Sequence, residues 1–143
     1  MSDHRYNIHG TASQSVPNLG ESGCVGSKAY GPSGIQVYSS EYVKSYKSAD
    51  ITGVGELRVS CCLLPNGNTG FTGYELFSGE VSGLRGCFIM QVLGKIDVKT
   101  DSASAETVIE EGSGTDDLWA IGGAGSFVVA QNGYCSFELS FSV

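Results

Sequence analysis

Residue-by-residue alternation of apolar and polar side chains is the feature that most limits how this chain can fold. In residues 134–143 every second side chain is apolar, and residues 53–64 alternate in the same way. A period of two places successive side chains on opposite faces of a β-strand. No segment of ten or more residues shows the 3.6-residue period of a helix. The sequence therefore predicts an all-β chain.

Turn signals separate the alternating segments. Asn66-Gly67 and Asn132-Gly133 supply the positive φ that a tight hairpin needs. Seven or eight strands follow each other about every ten residues, which is typical of a sandwich or a barrel. Hairpin connections make the sheet an antiparallel up-and-down meander, and about eight such strands remove their exposed edges by closing into a barrel. We therefore expect one closed antiparallel barrel domain over residues 1–143, with a sandwich as the alternative.

The first 34 residues differ from the rest. They are rich in Gly, Ser and Asn and have no sustained period. We expect an arm there, with one short strand around residues 5–10, and assign the barrel to residues 35–143. Such an arm is either flexible or caps one end of the barrel.

Charge and composition exclude several function classes. The chain has fifteen acidic and eight basic residues and a net charge of −7, without a Lys/Arg cluster. It is thus a poor candidate for binding nucleic acid or an anionic membrane. No apolar run is long enough to span a membrane, and the N-terminus does not resemble a secretory signal. The expected location is the cytoplasm.

Histidine and cysteine usage argues against several kinds of catalytic or metal site. His4 and His9 are the only histidines, both in the arm, so a Ser-His-Asp or Cys-His unit and a His-ligated metal are disfavoured. The five cysteines include no CxxC pair, and we expect reduced, mostly buried thiols. Residues 112–115 lack the Lys of a phosphate loop, and Asp116-Asp117 fit a turn better than a Ca²⁺ site. We predict no metal and no cofactor.

Two stretches carry a family resemblance. Residues 70–98 read GFTGYELFSGEVSGLRGCFIMQVLGKIDV, and residues 108–129 read VIEEGSGTDDLWAIGGAGSFVV. The patterns F-x-G-x-E-x-F-x-G, G-x-F-x-x-Q-x-x-G and GSGTG(D/E)L-x-G-I-x-G resemble those of small bacterial and fungal proteins of unassigned function in the allene oxide cyclase barrel superfamily. The GSG turn is also similar to that of allene oxide cyclase itself and, more distantly, of dirigent proteins.

The resemblance covers residues 51–143 and departs from the pattern at Asp116 and at Trp119-Ala120. It implies an eight-stranded antiparallel barrel with a partly apolar lumen, often in a homo-oligomer. It says little about activity, because most of these relatives have no assigned function.

The strand at residues 71–79 carries the most informative face. Alternation places two Phe, two Gly and Glu75 on one side, which we expect to be the lumen. Glycines inside a strand leave room for a bend or a ligand. An inward carboxyl group in an apolar lumen has its charged form disfavoured, which suits it to proton transfer near neutral pH. The alternative is that Glu75 pairs with Arg58 or Arg85, or accepts backbone hydrogen bonds at a barrel end.

The favoured hypothesis is a cofactor-independent cyclase or isomerase that folds a flexible apolar substrate into a reactive conformer inside the lumen. Glu75 or a tyrosine would protonate or polarise one group of that substrate. The candidate catalytic residues are Glu75, Tyr38 and Tyr134, and Tyr42 is a further tyrosine that could reach the lumen. The candidate ligand-binding residues are Phe71, Phe77, Phe88, Met90, Gln91, Trp119 and Cys61.

Two other hypotheses stay open. The same lumen could bind an apolar metabolite without transforming it, or side chains could fill it in a purely structural barrel. An enzyme should bring at least two polar groups to one point of the lumen. An interior space below roughly 300 Å³ would favour the filled barrel. Residues 87–96 are apolar on both faces, so we expect the arm or a second subunit to cover the outer face.

Overall fold

The computed structural model describes residues 5–14, 25–30 and 35–143, which form one antiparallel β-sheet. Nine strands lie in these residues. They are β1 (Arg5–Gln14), β2 (Val25–Tyr30), β3 (Ile35–Ser48), β4 (Ile51–Leu63), β5 (Thr69–Val81), β6 (Leu84–Asp97), β7 (Ser102–Ile109), β8 (Gly122–Val129) and β9 (Tyr134–Ser142).

The sheet closes into an eight-stranded barrel. Consecutive strands from β3 to β9 pair as antiparallel neighbours, and β1 then pairs with both β9 and β3. The closing contact joins Ala12 to Tyr46 and Gln14 to Lys44. The short β2 pairs with the start of β3 outside this ring of eight strands. The expected closed antiparallel barrel is confirmed, and the sandwich alternative is wrong.

The prediction for the N-terminal segment needs a correction. β1 is longer than the short strand expected around residues 5–10, and it completes the barrel wall instead of capping one end. Its inward side chains, Ile8 and Ala12, belong to the core. β2 was not predicted, and the remaining residues of the first 34 lie outside the described residues. The closing strand was hard to recognise because its inward positions are few and partly small.

The two Asn-Gly pairs form tight turns with a positive φ at the glycine, as predicted. Gly67 and Gly133 have φ values of 91° and 86°, and Asn66 accepts a hydrogen bond from the Asn68 amide within its turn. Residues 112–117 were expected to form a turn, and the β7–β8 connection that contains them includes a short 3₁₀ helix, Asp116–Leu118. This connection seals one side of the core with Leu118 and Ile121, both buried.

The same connection covers part of β6. Its Ser113 and Thr115 hydroxyls accept hydrogen bonds from the amides of Ile89 and Cys87 at 3.0 Å each. The predicted need for a cover over this strand is therefore met at these two positions by the β7–β8 connection. Leu93, further along β6, remains 65% exposed. The part of the chain that the structure describes holds no helix long and apolar enough to cross a membrane.

Candidate functional site

A charged cluster lies at the centre of the barrel. Glu75 on β5 and Lys44 on β3 are both 0% exposed, and the Lys44 Nζ atom lies 2.9 Å from Glu75 Oε1. The Tyr46 hydroxyl donates a hydrogen bond of 2.5 Å to the other carboxylate oxygen, Oε2. Both oxygens of Glu75 thus have a partner, one from an ammonium and one from a phenol. The expectation that Glu75 points inward is confirmed.

Strand geometry brings these three side chains together. Lys44 and Tyr46 are two residues apart on β3, so alternation points both into the barrel. β4 lies between β3 and β5, and it presents Gly55 directly beside Lys44 in the register. A Cβ atom at Gly55 would collide with Oε2 of Glu75 and crowd the Tyr46 ring. The missing side chain at Gly55 therefore makes room for the carboxylate to meet its partners.

Three aromatic rings pack against the cluster. The Lys44 ammonium lies 3.1 Å from the centre of the Phe127 ring, a cation–π contact inside the barrel. The Tyr46 ring makes edge contacts with Phe77 and Phe137 at centroid distances of 5.5 and 5.3 Å. These contacts orient the phenol toward Glu75, because edge-to-face packing restricts how the ring can turn.

The surroundings keep Tyr46 protonated. Burial raises the pKa of the Tyr46 hydroxyl well above its ordinary value, and the charge of Glu75 and the hydrogen bond to it raise it further. Burial also raises the pKa of the nearby Cys135 thiol; the Lys44 charge opposes this increase and the Glu75 charge adds to it. Tyr46 is therefore a hydrogen-bond donor, not an anion, at neutral pH.

The alternative partners proposed for Glu75 are wrong. Arg58 and Arg85 are exposed and face outward, where they lie 3.6 Å from Glu41 and 3.8 Å from Glu80. The cation that pairs with the Glu75 carboxylate is Lys44. A buried carboxylate and ammonium cost several kcal/mol each in desolvation, which only a close pair with further hydrogen bonds can offset. Chemically, the cluster offers a cation, an anion and a proton donor at one point.

Between the described residues, the interior of the barrel leaves little free space. One cavity of about 20 Å³ adjoins Glu75, Tyr46 and the Phe77 and Phe88 rings. A second, of about 30 Å³, lies between Tyr42, Leu57, Cys61 and Phe71 and is also lined by Gln14 and Phe127. Each could hold about one water molecule, whereas ligand pockets span roughly 300–1,000 Å³. Neither of these two cavities can therefore hold a substrate in this conformation.

Most of the predicted lining residues lie inside the barrel. The inward-facing, buried ones are Phe71, Phe77, Phe88, Met90 and Cys61. Glu75, Phe77, Phe88 and Met90 adjoin the first cavity, and Phe71 and Cys61 the second, so the structure divides the predicted set between two levels. Tyr38 pairs with Cys61 in the register and is half-buried against the core, at the level away from Lys44 and Tyr46.

Three predicted site residues lie outside the lumen. Met90 and Val92 point inward, so Gln91 between them points outward, where it donates a hydrogen bond to Glu110. Tyr134 is 55% exposed, because its neighbour Cys135 starts the inward set of β9. The prediction that these side chains reach the lumen is wrong.

Trp119 is the third predicted site residue outside the lumen, and it is 73% exposed. Residues of a 3₁₀ helix repeat every three positions and do not alternate. The buried pair is accordingly Leu118 and Ile121, three residues apart, and Trp119 points to solvent. The placement of Trp119 in the lumen assumed a strand where the chain forms this turn.

Sequence reasoning missed Lys44 and Tyr46. A usable signal was present in β3, where Ser40, Tyr42, Lys44 and Tyr46 share one face. The other face carries Glu41, Val43, Ser45 and Lys47, so neither face is plainly apolar. A strand with one lysine on each face gives no local reason to bury either one. The need of Glu75 for a cation is what selects Lys44.

The described residues contain no group of three His, Cys, Asp or Glu placed to hold a metal ion. Asp117 accepts a hydrogen bond from the Arg85 amide, and Asp116 accepts one from the Thr115 hydroxyl. Those acids therefore serve the turn, as expected. His9 lies exposed on β1, and His4 and Cys24 lie outside the described residues.

Comparison with known proteins places the chain among proteins of similar fold. Residues 26–141 match the family described as "Protein of unknown function (DUF3224)". A crystal structure of a protein of unknown function from this family, from Shewanella oneidensis MR-1, superposes with a TM-score of 0.72 at 17% sequence identity. The similarity covers 96% of this chain and 97% of that one. No curated protein matches. The likeness to allene oxide cyclase stays a prediction.

Proposed function

Because this chain belongs to the DUF3224 family of proteins of unknown function, we propose its function from the site itself: it binds a small, largely apolar molecule in the barrel lumen. Lys44, Tyr46 and Glu75 anchor one polar group of that ligand. The observation that carries this proposal is the buried charged cluster. A barrel that only had to be filled would be as stable, or more stable, with apolar side chains at these positions.

Binding requires the lumen to open, because the present cavities are far smaller than a metabolite. The aromatic side chains around the cluster are the groups that have to move. A ligand carrying a carbonyl, hydroxyl or carboxyl group can take a hydrogen bond from Lys44 or Tyr46 while its apolar part replaces the displaced rings. Part of the binding free energy is then used to open the lumen, so the apparent dissociation constant is higher than the contacts alone would give.

A cyclase or isomerase reaction is the catalytic form of the same proposal. Tyr46 would donate a proton to the anchored group and Glu75 would accept one, with Lys44 balancing the charge. This needs no chemistry beyond the chain's own side chains. It places the catalytic pair at Glu75 and Tyr46, and gives no lumen role to Tyr134.

A specific observation favours a second candidate, a structural barrel with a filled interior. The two interior cavities, of about 20 and 30 Å³, are below the size that either binding or catalysis needs without rearrangement. In that case the ion pair serves to set which side chains meet across the barrel, a role attested for some buried polar groups.

Native mass spectrometry of the purified full chain tests binding without assuming a ligand. We expect a small molecule retained by the wild type and by Glu56→Gln, which removes an exposed carboxylate from the outer face of β4. The Lys44→Met/Glu75→Leu double variant should lose the molecule while it keeps its circular dichroism spectrum. A wild-type protein without any bound molecule, with a double variant of equal or greater stability, would instead support the filled barrel.

Turnover separates the enzyme from the binding protein. The retained molecule is incubated with the protein in deuterium oxide. Proton transfer by an isomerase incorporates deuterium at carbon, and Tyr46→Phe should slow that incorporation. A simple binding protein returns the molecule unlabelled.

A further inference from the structure

The outer surface of the barrel carries an apolar strip that the proposed function does not use. Tyr74 on β5, Leu93 on β6 and Val108 on β7 are 54%, 65% and 53% exposed. Tyr74 and Val108 lie on either side of Gln91 in the register, and Leu93 lies one row further along. All three line a shallow groove of about 700 Å³. Adjacent exposed apolar side chains of this kind mark interaction surfaces.

Opposite charges stand at the two edges of this strip. Arg58 on β4 lies next to Tyr74, and Glu106 on β7 lies next to Leu93. Arg58 has only a loose, exposed contact with Glu41 at 3.6 Å. Glu106 makes no ion pair and no side-chain hydrogen bond with any described residue. A cation at one edge and an anion at the other make the surface complementary to itself.

A two-fold axis satisfies that complementarity. In an isologous dimer each patch meets the same patch of its partner. An axis running between β5 and β6 along the strands places β4 of one copy over β7 of the other. Arg58 of one copy then lies only one outward-facing row, which is two residues along the strand, away from Glu106 of the second copy. Tyr74 comes to lie over β6 of that copy, beside its Leu93.

Barrel shape supports the same arrangement. The outside of a twisted barrel is a saddle, curved outward around the barrel and inward along its axis. Two saddles fit when their axes cross at a large angle. Strands in small barrels tilt by about 35–45° from the barrel axis, so a two-fold axis along the strands crosses the two barrels at about 70–90°.

We propose that this face joins two copies of the chain, with Tyr74, Leu93 and Val108 at the centre and an Arg58–Glu106 pair at each edge. The proposal is independent of any ligand in the lumen. It also explains why Leu93 remains exposed although the β7–β8 connection binds to β6 at Cys87 and Ile89.

Charge reversal tests the arrangement in the full chain. Sedimentation velocity over a concentration series should give the wild type twice the 14.9 kDa mass of one chain. Arg58→Glu and Glu106→Arg should each weaken the dimer at least about tenfold, because each places like charges across the interface. The double variant R58E/E106R should restore it. Glu138→Arg, on β9 at the far side of the barrel, is the matched control and should leave the dimer unchanged.

Each alternative result overturns the proposal. A monomeric wild type shows that the strip serves no contact between copies and leaves a different partner for it. A dimer that tolerates both single reversals uses another face. A dimer lost in the single variants but not restored in R58E/E106R does not pair Arg58 with Glu106. All variants change exposed side chains, and thermal melts confirm that each is folded.

Discussion

Two levels of the barrel interior are filled about equally but differ sharply in chemistry. The charged level contains Lys44, Tyr46 and Glu75 beside a cavity of about 20 Å³. The apolar level contains Leu57, Cys61 and Phe71 beside a cavity of about 30 Å³. Since the apolar level closes without any charge, filling the barrel does not require an ion pair. The charges at the other level thus need a separate reason, either a ligand or the pairing of particular strands.

The two levels also differ in how well their polar atoms are satisfied. Both carboxylate oxygens of Glu75 have partners at the charged level. At the apolar level the buried Oε1 atom of Gln14 has no hydrogen-bond partner among the described residues. The charged level is therefore the better-ordered polar environment, although it carries the costlier groups.

Removing one charge should have the largest effect. Lys44→Met leaves Glu75 buried without its cation, and breaking such a pair costs about 3–5 kcal/mol. Urea unfolding followed by circular dichroism should show a loss of that size in the free energy of unfolding. Val59→Ala at the apolar level is a volume control and carries no charge penalty. A Lys44→Met variant as stable as the wild type would mean that Glu75 is protonated or solvated in the folded protein.

Removing both charges should reverse most of that loss. Lys44→Met/Glu75→Leu makes the charged level resemble the apolar one, and such replacements are often neutral or stabilising by about 1–4 kcal/mol. The same unfolding experiment gives the comparison with Lys44→Met alone. If the double variant is as unstable as the single one, packing around the cluster and not its charge is what the barrel depends on.

Alkaline pH should weaken the charged level specifically. The pKa of Tyr46 is raised in the folded state, so above the ordinary tyrosine pKa, about 10, the unfolded chain loses this proton while the folded chain keeps it. Stability then falls as pH rises, by up to about 1.4 kcal/mol per pH unit for this group, until the folded pKa is passed. Tyr46→Phe should remove that part of the slope. Equal slopes in the two proteins would show that Tyr46 does not titrate differently on folding.

The smallest expected effect concerns Gln14. Gln14→Leu removes an unpaired buried acceptor and fills space at the apolar level, which should stabilise the protein by about 1 kcal/mol. Differential scanning calorimetry of the variant and the wild type measures this. A destabilised variant would indicate that the Gln14 side chain has a partner, such as an ordered water in the adjoining cavity.

Strand alternation was a sound guide to the fold because its signal is local. The period-two pattern in β4 and β9 and the Asn-Gly turns predicted strands and hairpins from neighbouring residues alone. The same alternation placed Phe71, Glu75 and Phe77 inward. It failed at Trp119, where the chain leaves the strand period for a 3₁₀ turn. The placement of Gln91 and Tyr134 in the lumen was wrong for another reason: it went against the alternation of their own strands, which turns both outward.

By itself, then, the sequence determined the strands, their turns and the inward face of β5, because each depends on residues close together in the chain. Only the tertiary structure decided that β1 closes the barrel and that Lys44 and Tyr46 meet Glu75. Those contacts join residues about thirty positions apart across β4, at a place where Gly55 leaves room. A local pattern cannot show which of two lysines on one strand, Lys44 or Lys47, will be buried. The closed sheet selects Lys44, because it lies on the face where a buried carboxylate needs a cation.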